Sequence, residues 1–336
     1  MPGVRNVAQG RAFMITLVWR TDVHMADEPP QSRTDDWTAT ILGKLDQVGQ
    51  IATKVKANAV LDGGDFFHVK SPTRNSHELV RRVTNLHASY PCPVYGNVGN
   101  HDVKYGSMEY LSESPLAVLF ESGTFRRLYD EHEAVFEQDG VKVRVVGIPY
   151  HGTTYDMNRF TSIVKGDEDY LVVMVHCLAS AKGGTMFEAE DVIGYSQLVN
   201  LDPDVWCFGH WHKDQGITEI ARNKWVVNVG SLSRGSISQD DMNRTPTCVV
   251  MRASKQIMTF EPIKLKVAPP DIIFNLEARA RTQVRKLTMD TVVDRLKVNL
   301  VMRDSGSILD TVRGVASIPS PIRERTIAYL EQAGAR

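Results

Sequence analysis

Five short apolar runs punctuate the chain, and each stops abruptly at polar or glycine-rich residues: Ile15–Trp19, Ala59–Leu61, Pro93–Tyr95, Leu171–Val175 and Val205–Phe208. Unbroken β-branched runs of this length suit strands buried on both faces. Between the first two, Trp37, Ile41, Leu45, Val48, Ala52 and Val55 step by three or four, tracing one helical stripe. Leu79, Val80, Val83 and Leu86 trace a second stripe before the third run. Strands alternating with amphipathic helices predict an α/β architecture.

After residue 130 the pattern changes. Ala134–Glu137 and Val141–Ile148 flank Gln138-Asp139-Gly140, a hairpin signal. Ile217–Ile220, Trp225–Val229, Thr247–Met251 and Ile257–Leu265 read as further strands joined by short polar turns. An α/β front half meeting a strand-rich back half predicts two packed sheets with outer helices. Val267-Ala268-Pro269-Pro270 marks a boundary. Residues 11–270 then form one domain and residues 271–336 a short helical tail, whose final helix starts at Ser320-Pro321, with Ser as N-cap and Pro at the first helical position. The tail's apolar positions, Val292, Val293, Leu296, Leu300 and Val301, need a surface to bury.

Composition narrows the class. With 42% hydrophobic and 24% charged residues the 336-residue chain is globular rather than disordered. A net charge of −1 excludes nucleic-acid binding by bulk electrostatics but leaves a local basic groove open. Eleven basic residues against eight acidic ones give the tail a net +3. Cys92, Cys177, Cys207 and Cys248 have no C-x-x-C spacing and read as reduced thiols, hence a cytoplasmic protein. The apolar run Ala12–Trp19 is too short to span a membrane and no cleavage site follows it, so no membrane association is expected.

The polar residues that end the buried runs carry the chemistry. Asp22-Val23-His24 follows the first, Gly63-Gly64-Asp65 the second and Gly99-Asn100-His101-Asp102 the third. His176 closes the fourth, and Gly209-His210-Trp211-His212 follows the fifth. Groups at the carboxyl ends of sheet strands converge on one crevice. A lone D-x-H means nothing, but a G-N-H-D is expected by chance only roughly 0.002 times at ~5% usage per residue type. Two Asp, one Asn and four His make a mixed oxygen and nitrogen donor set. It suits Mn, Fe or Zn better than Ca, and the lack of thiolates argues against structural zinc. Two such ions ~3.5–4 Å apart can clamp both the attacking and the leaving oxygen of a phosphate ester.

These motifs resemble those of the calcineurin-like metallophosphoesterases over roughly residues 14–235. The resemblance implies a four-layer α/β/β/α sandwich. Carried over by position, Asp22, His24, Asp65 and His212 would hold one metal, with Asp65 bridging to a second held by Asn100, His176 and His210. His101 would be the general acid, oriented by Asp102. The run Gly63-Gly64-Asp65-Phe66-Phe67-His68, with Val69-Lys70-Ser71-Pro72-Thr73-Arg74 behind it, is similar to a segment of the SbcD-type DNA double-strand-break nucleases. His68 matches the extra active-site histidine that faces the DNA end there. The superfamily's protein phosphatases carry GDxVDRG and RGNHE instead, whereas here Val98 precedes Gly99 and no VDRG follows Asp65. Asn228-Val229-Gly230-Ser231 resembles the family's NPGS loop with Val for Pro. Arg20-Thr21 precede Asp22 where the family has small or apolar residues, and Arg20 is expected to snorkel.

The resemblance implies a metal-dependent DNA exo/endonuclease of repair and recombination, using two divalent ions, Mn2+ foremost, and degrading 3′→5′. It also implies a separate SbcC-type coiled-coil ATPase subunit, because this chain has no P-loop, and allows a homodimer. The alternative is a small-molecule or nucleotide phosphodiesterase or phosphatase of the same superfamily. A non-catalytic scaffold is disfavoured, since all seven ligand positions and His101 are filled. Other residues read plainly: His77 and His87 as surface or satisfied core histidines, His132 and His151 as loop histidines, and Asp62 as a turn cap. Cys177, Cys207, Trp19 and Trp211 read as packing residues.

Overall fold

The first strand, β1 (Ile15–Arg20), is buried along its whole length and alternates between two cores. Ile15, Leu17 and Trp19 enter one apolar cluster and Val18 another. That period of two explains why the run is apolar throughout: each face packs on a different layer. The computed structural model describes residues 15–68, 75–186 and 190–276, with 312–313, 323–324 and 326–328.

From β1 the chain runs through α1 (Trp37–Val55), β2 (Ala59–Asp62), α2 (His77–Ala88), β3 (Val94–Gly96), α3 (Pro115–Glu121) and β4 (Phe125–Arg127). Asp36 caps α1 by accepting the Ala39 amide at 2.9 Å, and Ser76 caps α2 through Leu79. Strands β5 (Ala134–Gln138), β6 (Val141–Ile148), α4 (Asn158–Thr161) and β7 (Tyr170–His176) follow. A small sheet is built from β8 (Ala179–Ser180), β9 (Gly184–Met186) and β10 (Glu190–Gly194). Then come α5 (Tyr195–Leu198), β11 (Val205–Gly209), β12 (Gly216–Ala221), β13 (Lys224–Asn228), α6 (Gln239–Asn243), β14 (Thr247–Ala253), β15 (Met258–Lys264) and α7 (Pro270–Ile273).

Two six-stranded sheets result, ordered β15-β14-β1-β2-β3-β4 and β12-β13-β11-β7-β6-β5. In the first, β1 to β4 are parallel, and β14 joins β1 antiparallel. In the second, β6, β7, β11 and β13 are parallel, with β5 and β12 antiparallel at the edges. Leu17, Trp19 and Leu61 of one sheet meet Val172, Met174, Val205 and Cys207 of the other in the central core. Ile41, Leu45 and Val83 of α1 and α2 pack on the outer face of the first sheet. Phe160 and Leu198 of α4 and α5 pack with Trp206 and Phe208 on the outer face of the second. The expected four-layer α/β/β/α sandwich is therefore present. The strand-rich back half supplies the whole second sheet, and its last two strands, β14 and β15, return to complete the first sheet beside β1, a long-range pairing that short-range pattern does not encode.

Met1–Phe274 forms one compact unit and Asn275–Arg336 a second. In the first, α7 is held to the body by the Thr34 amide on the Ile273 carbonyl at 3.0 Å, and Phe274 pairs with Arg33. In the second, residues 312–313, 323–324 and 326–328 are helical. The tail's apolar stripe from Val292 to Val301, the start of its final helix at Ser320-Pro321 and the Val69–Arg74 segment lie outside the described residues. Among the described residues no helix is long and apolar enough to cross a membrane.

Candidate metal centre

The parallel strands of both sheets deliver their carboxyl ends to one crevice. Asp22 and His24 leave β1, Asp65 leaves β2, Asn100 and His101 leave β3, His176 ends β7, and His210 and His212 leave β11. The turns that present them are strained. Asp22, His24, Asp65 and His210 take φ of 53°, 50°, 51° and 87°, a region that residues with a Cβ rarely visit and that gathers at functional sites. The glycines beside them permit the close approach. A Cβ on Gly99 would stand 2.1 Å from Asp65 Oδ1 and 2.6 Å from His176 Cε1. Gly64, at φ 97°, would meet the Gly99 amide at 2.6 Å.

Two overlapping sets of donors form. In the first, His24 Nε2 lies 3.9 Å from Asp22 Oδ1, 3.7 Å from Asp65 Oδ2 and 2.8 Å from His212 Nε2. His212 Nε2 is 3.7 Å from Asp22 Oδ1. In the second, His176 Nε2 stands 3.4 Å from Asp65 Oδ2 and 3.3 Å from Asn100 Oδ1. The His210 ring lies 5.0 Å from the His176 ring. The ligand-atom spacing allows an ion among Asp22, His24, Asp65 and His212, and another among Asp65, His176 and His210. All seven predicted ligands are thus brought together.

Asp65 belongs to both sets, and its two oxygens differ. Oδ1 accepts the His101 amide at 2.7 Å, while Oδ2 is buried with no hydrogen-bond partner. An orphaned carboxylate oxygen in a dry site is costly. Here it faces the imidazoles of both sets, so the residues present fit two divalent ions sharing one bridging carboxylate. Burial raises the Asp65 pKa, but the neighbouring His176, with His101 and His24 beyond, holds it well below the usual carboxylate range. Burial opposes protonation of His176, yet the Asp65 carboxylate, the Asp22 charge and the Gly63 carbonyl together override it and the pKa rises to about 9. His24 goes the other way, lowered well below its usual value by burial and then by His212. The site favours negative oxygen at its centre and a neutral imidazole at His24.

Supporting contacts fix the donors. His176 Nδ1 meets the Gly63 carbonyl at 2.9 Å. Asp22 accepts the Thr21 hydroxyl at 2.7 Å and the His210 amide at 3.0 Å. Asp102 is buried, and its carboxylate spans two loops, accepting the Phe67 amide at 2.8 Å and the Gly99 amide at 2.9 Å. Burial and the nearby Asp65 charge push its pKa well up. His68 is exposed at the rim, with its ring stacked on His101 at 4.8 Å and its Nδ1 2.9 Å from His24 Nδ1.

Other readings change. Arg20 does not snorkel. It is fully buried, pairs with Asp62 at 2.7 Å, and also contacts Tyr90 Oη at 3.0 Å and His87 Nε2 at 2.8 Å. An aromatic wall of Phe66, Tyr90 and Phe125 closes over its guanidinium. Burial raises the Asp62 pKa, with Arg20 opposing, and both burial and the Arg20 charge lower that of His87. Asp62 also accepts the Gly64 amide at 3.3 Å, the expected turn cap. Cys177, Cys207 and Trp19 are core residues. The loop after Asn228 runs beside the site, with the Ser231 amide on the His212 carbonyl and the Ser233 amide on the Asp22 carbonyl. Sequence reasoning missed Glu190, whose carboxylate lies 2.8 Å from His210 Nε2. One acid among forty in a segment of no marked pattern carries no signal for such a position.

No curated protein matches the sequence significantly. Among solved structures, a protein of Thermus thermophilus (TT1561) aligns at 11% identity and a TM-score of 0.45, covering 75% of this chain and 100% of that one. A dimetal phosphatase from Danio rerio aligns at 10% identity and a TM-score of 0.44, with 75% and 97% covered. A purple acid phosphatase from yellow lupin (Lupinus luteus) seeds aligns at 12% and 0.43, with 76% and 52% covered. Residues 16–214 match the family model for calcineurin-like phosphoesterases, and the chain belongs to that family, making it a metallophosphoesterase hydrolase of a family that binds two divalent metals, with an Asp/His cluster whose spacing could hold such ions.

Proposed function

We propose that this phosphoesterase acts on DNA as an SbcD-like exo/endonuclease. Asp22, His24, Asp65 and His212 would hold one ion, and Asp65, Asn100, His176 and His210 the other. Bound there, two divalent ions supply Lewis acidity at the phosphoryl oxygens and a water of lowered pKa. The chain's own residues do the rest. The Asp65 carboxylate spans both sets, and its Oδ1 holds the His101 backbone in place. His101 delivers a proton to the departing sugar oxygen. Asp102 ties the loops after β2 and β3 together through Phe67 and Gly99, which fixes His101 relative to Asp65.

The observation that carries the DNA reading is His68. It stands at the rim, exposed, stacked on His101 and in contact with His24. A polar ring beside the proposed acid is suited to seating a nucleic-acid end. The GGDFFH run that supplies it, and the absence of VDRG and RGNHE, support a nuclease over a protein phosphatase. Manganese is the proposed ion, since imidazole donors suit it better than magnesium. A separate SbcC-type ATPase and a second copy of this chain are the proposed partners.

The test is digestion of labelled linear duplex, closed circular single-stranded DNA and bis-p-nitrophenyl phosphate side by side with added manganese. Length-dependent loss of linear duplex supports the proposal. Rapid turnover of the small diester and of nucleotides with no DNA cleavage overturns it in favour of a small-molecule phosphodiesterase.

A further inference from the structure

Glu190 opens β10, in the stretch between the strand ends that carry His176 and His210. Its Oε1 lies 2.8 Å from His210 Nε2 and accepts the Tyr155 hydroxyl at 2.7 Å. The Tyr155 oxygen in turn accepts the Leu178 amide at 2.9 Å, two residues beyond His176. The next residue, Asp191, accepts the Tyr155 amide at 3.0 Å, and its own amide donates to the Thr153 carbonyl at 2.8 Å. Glu190 is thus fixed by a chain of bonds that starts at one candidate ligand's ring and ends beside another.

The contact also sets a tautomer. A carboxylate on Nε2 keeps the proton there, leaving Nδ1 as the nitrogen with a free lone pair. His176 is set the opposite way, with Nδ1 on the Gly63 carbonyl and Nε2 facing Asp65 and Asn100. A carboxylate behind a metal-ligating imidazole orients the ring and raises its basicity.

We infer that Glu190 is a positioning residue of the second metal site, fixing the tautomer and orientation of His210 and, through Tyr155, tying that ring to the strand end that carries His176. The inference rests on the two-metal reading and is independent of the substrate.

The test is manganese titration of the metal-stripped full chain, followed by electron paramagnetic resonance, for the wild type, Glu190→Ala, Glu190→Gln and Tyr155→Phe. Glu190→Ala should weaken the second site by ~10–100-fold and lose the spin-coupled signal of the ion pair, with the first site unchanged. Glu190→Gln keeps a carbonyl acceptor for Nε2–H and should recover most of the affinity. Tyr155→Phe should fall between Glu190→Ala and the wild type. Unchanged second-site binding in Glu190→Ala, equal weakening of both sites, or a Glu190→Gln variant as defective as Glu190→Ala overturns the inference. A wild type that binds fewer than two ions overturns the two-metal reading itself, which separates the two failures.

Discussion

The Asp65 carboxylate makes the sharpest demands of any side chain in the crevice. It is buried, one oxygen is tied to the His101 amide, and the other lies between two groups of imidazoles with no hydrogen-bond partner. Asp65→Ala should therefore lose both metals together. His101→Ala should keep both and lose rate by ~10²–10⁴-fold, the usual effect of removing a general acid. Metal content measured beside turnover distinguishes them, and a His101 variant that sheds metal while the Asp65 variant retains it would reverse these roles. His68→Ser should cut exonuclease activity more than hydrolysis of bis-p-nitrophenyl phosphate. Equal loss on both substrates would make His68 part of the metal shell instead. These residues were legible in the sequence because each is short-range: a polar donor one to seven residues past an apolar run. Glu190 was not, because its meaning comes from a ring twenty residues away.

At the scale of the element, strand ends and the turns after them hold the donors, so what stiffens those ends matters. Arg20 and Asp62 are the last residues of neighbouring parallel strands, and their buried ion pair locks the exits toward Asp22 and Asp65. Breaking it with Arg20→Met should cost ~3–5 kcal/mol, because it strands the Asp62 charge in the core. Arg20→Met combined with Asp62→Leu should recover most of that loss in denaturant melts. A single variant as stable as wild type would remove the pair from this role. A second strut lies in the loop after β13. Arg244 reaches Ser231 and Ser233, and Asp241 accepts from Arg244 and the Ser236 hydroxyl. Burial raises the Asp241 pKa, but the Arg244 charge and the hydrogen bonds from Ser236 and Arg244 together more than offset it, so the folded value lies below the ordinary one. The sign follows. The stabilisation is complete above the unfolded carboxylate value of about 3.9 and is lost as pH falls through the lower folded value. Asp241→Asn should therefore destabilise at neutral pH and do so progressively less below about pH 4. A stability difference that stays constant with pH would contradict it.

For the whole molecule, the first compact unit runs to Phe274, with the segment just before it fastened through Arg33 and Thr34. Every candidate ligand lies between Asp22 and His212. A chain ended after Leu276 should keep metal-dependent hydrolysis of bis-p-nitrophenyl phosphate and lose association with a second copy or partner, along with processive DNA degradation. Light scattering and nuclease assays on that truncation test it. An inactive or insoluble product would make residues beyond 276 part of the catalytic unit.

The candidate donors, the layer order and the family are all legible along the chain. Buried parallel strands need continuous apolar runs, and the motifs sit where those runs end, so both signals are local. Folding in three dimensions settled how these pieces meet. It brought β14 back beside β1, buried Arg20 against Asp62 rather than letting it reach solvent, and set Glu190 behind His210. Those pairings join residues far apart in the chain, and they are selected by the burial and charge compensation that exist only once the sheets have closed on each other.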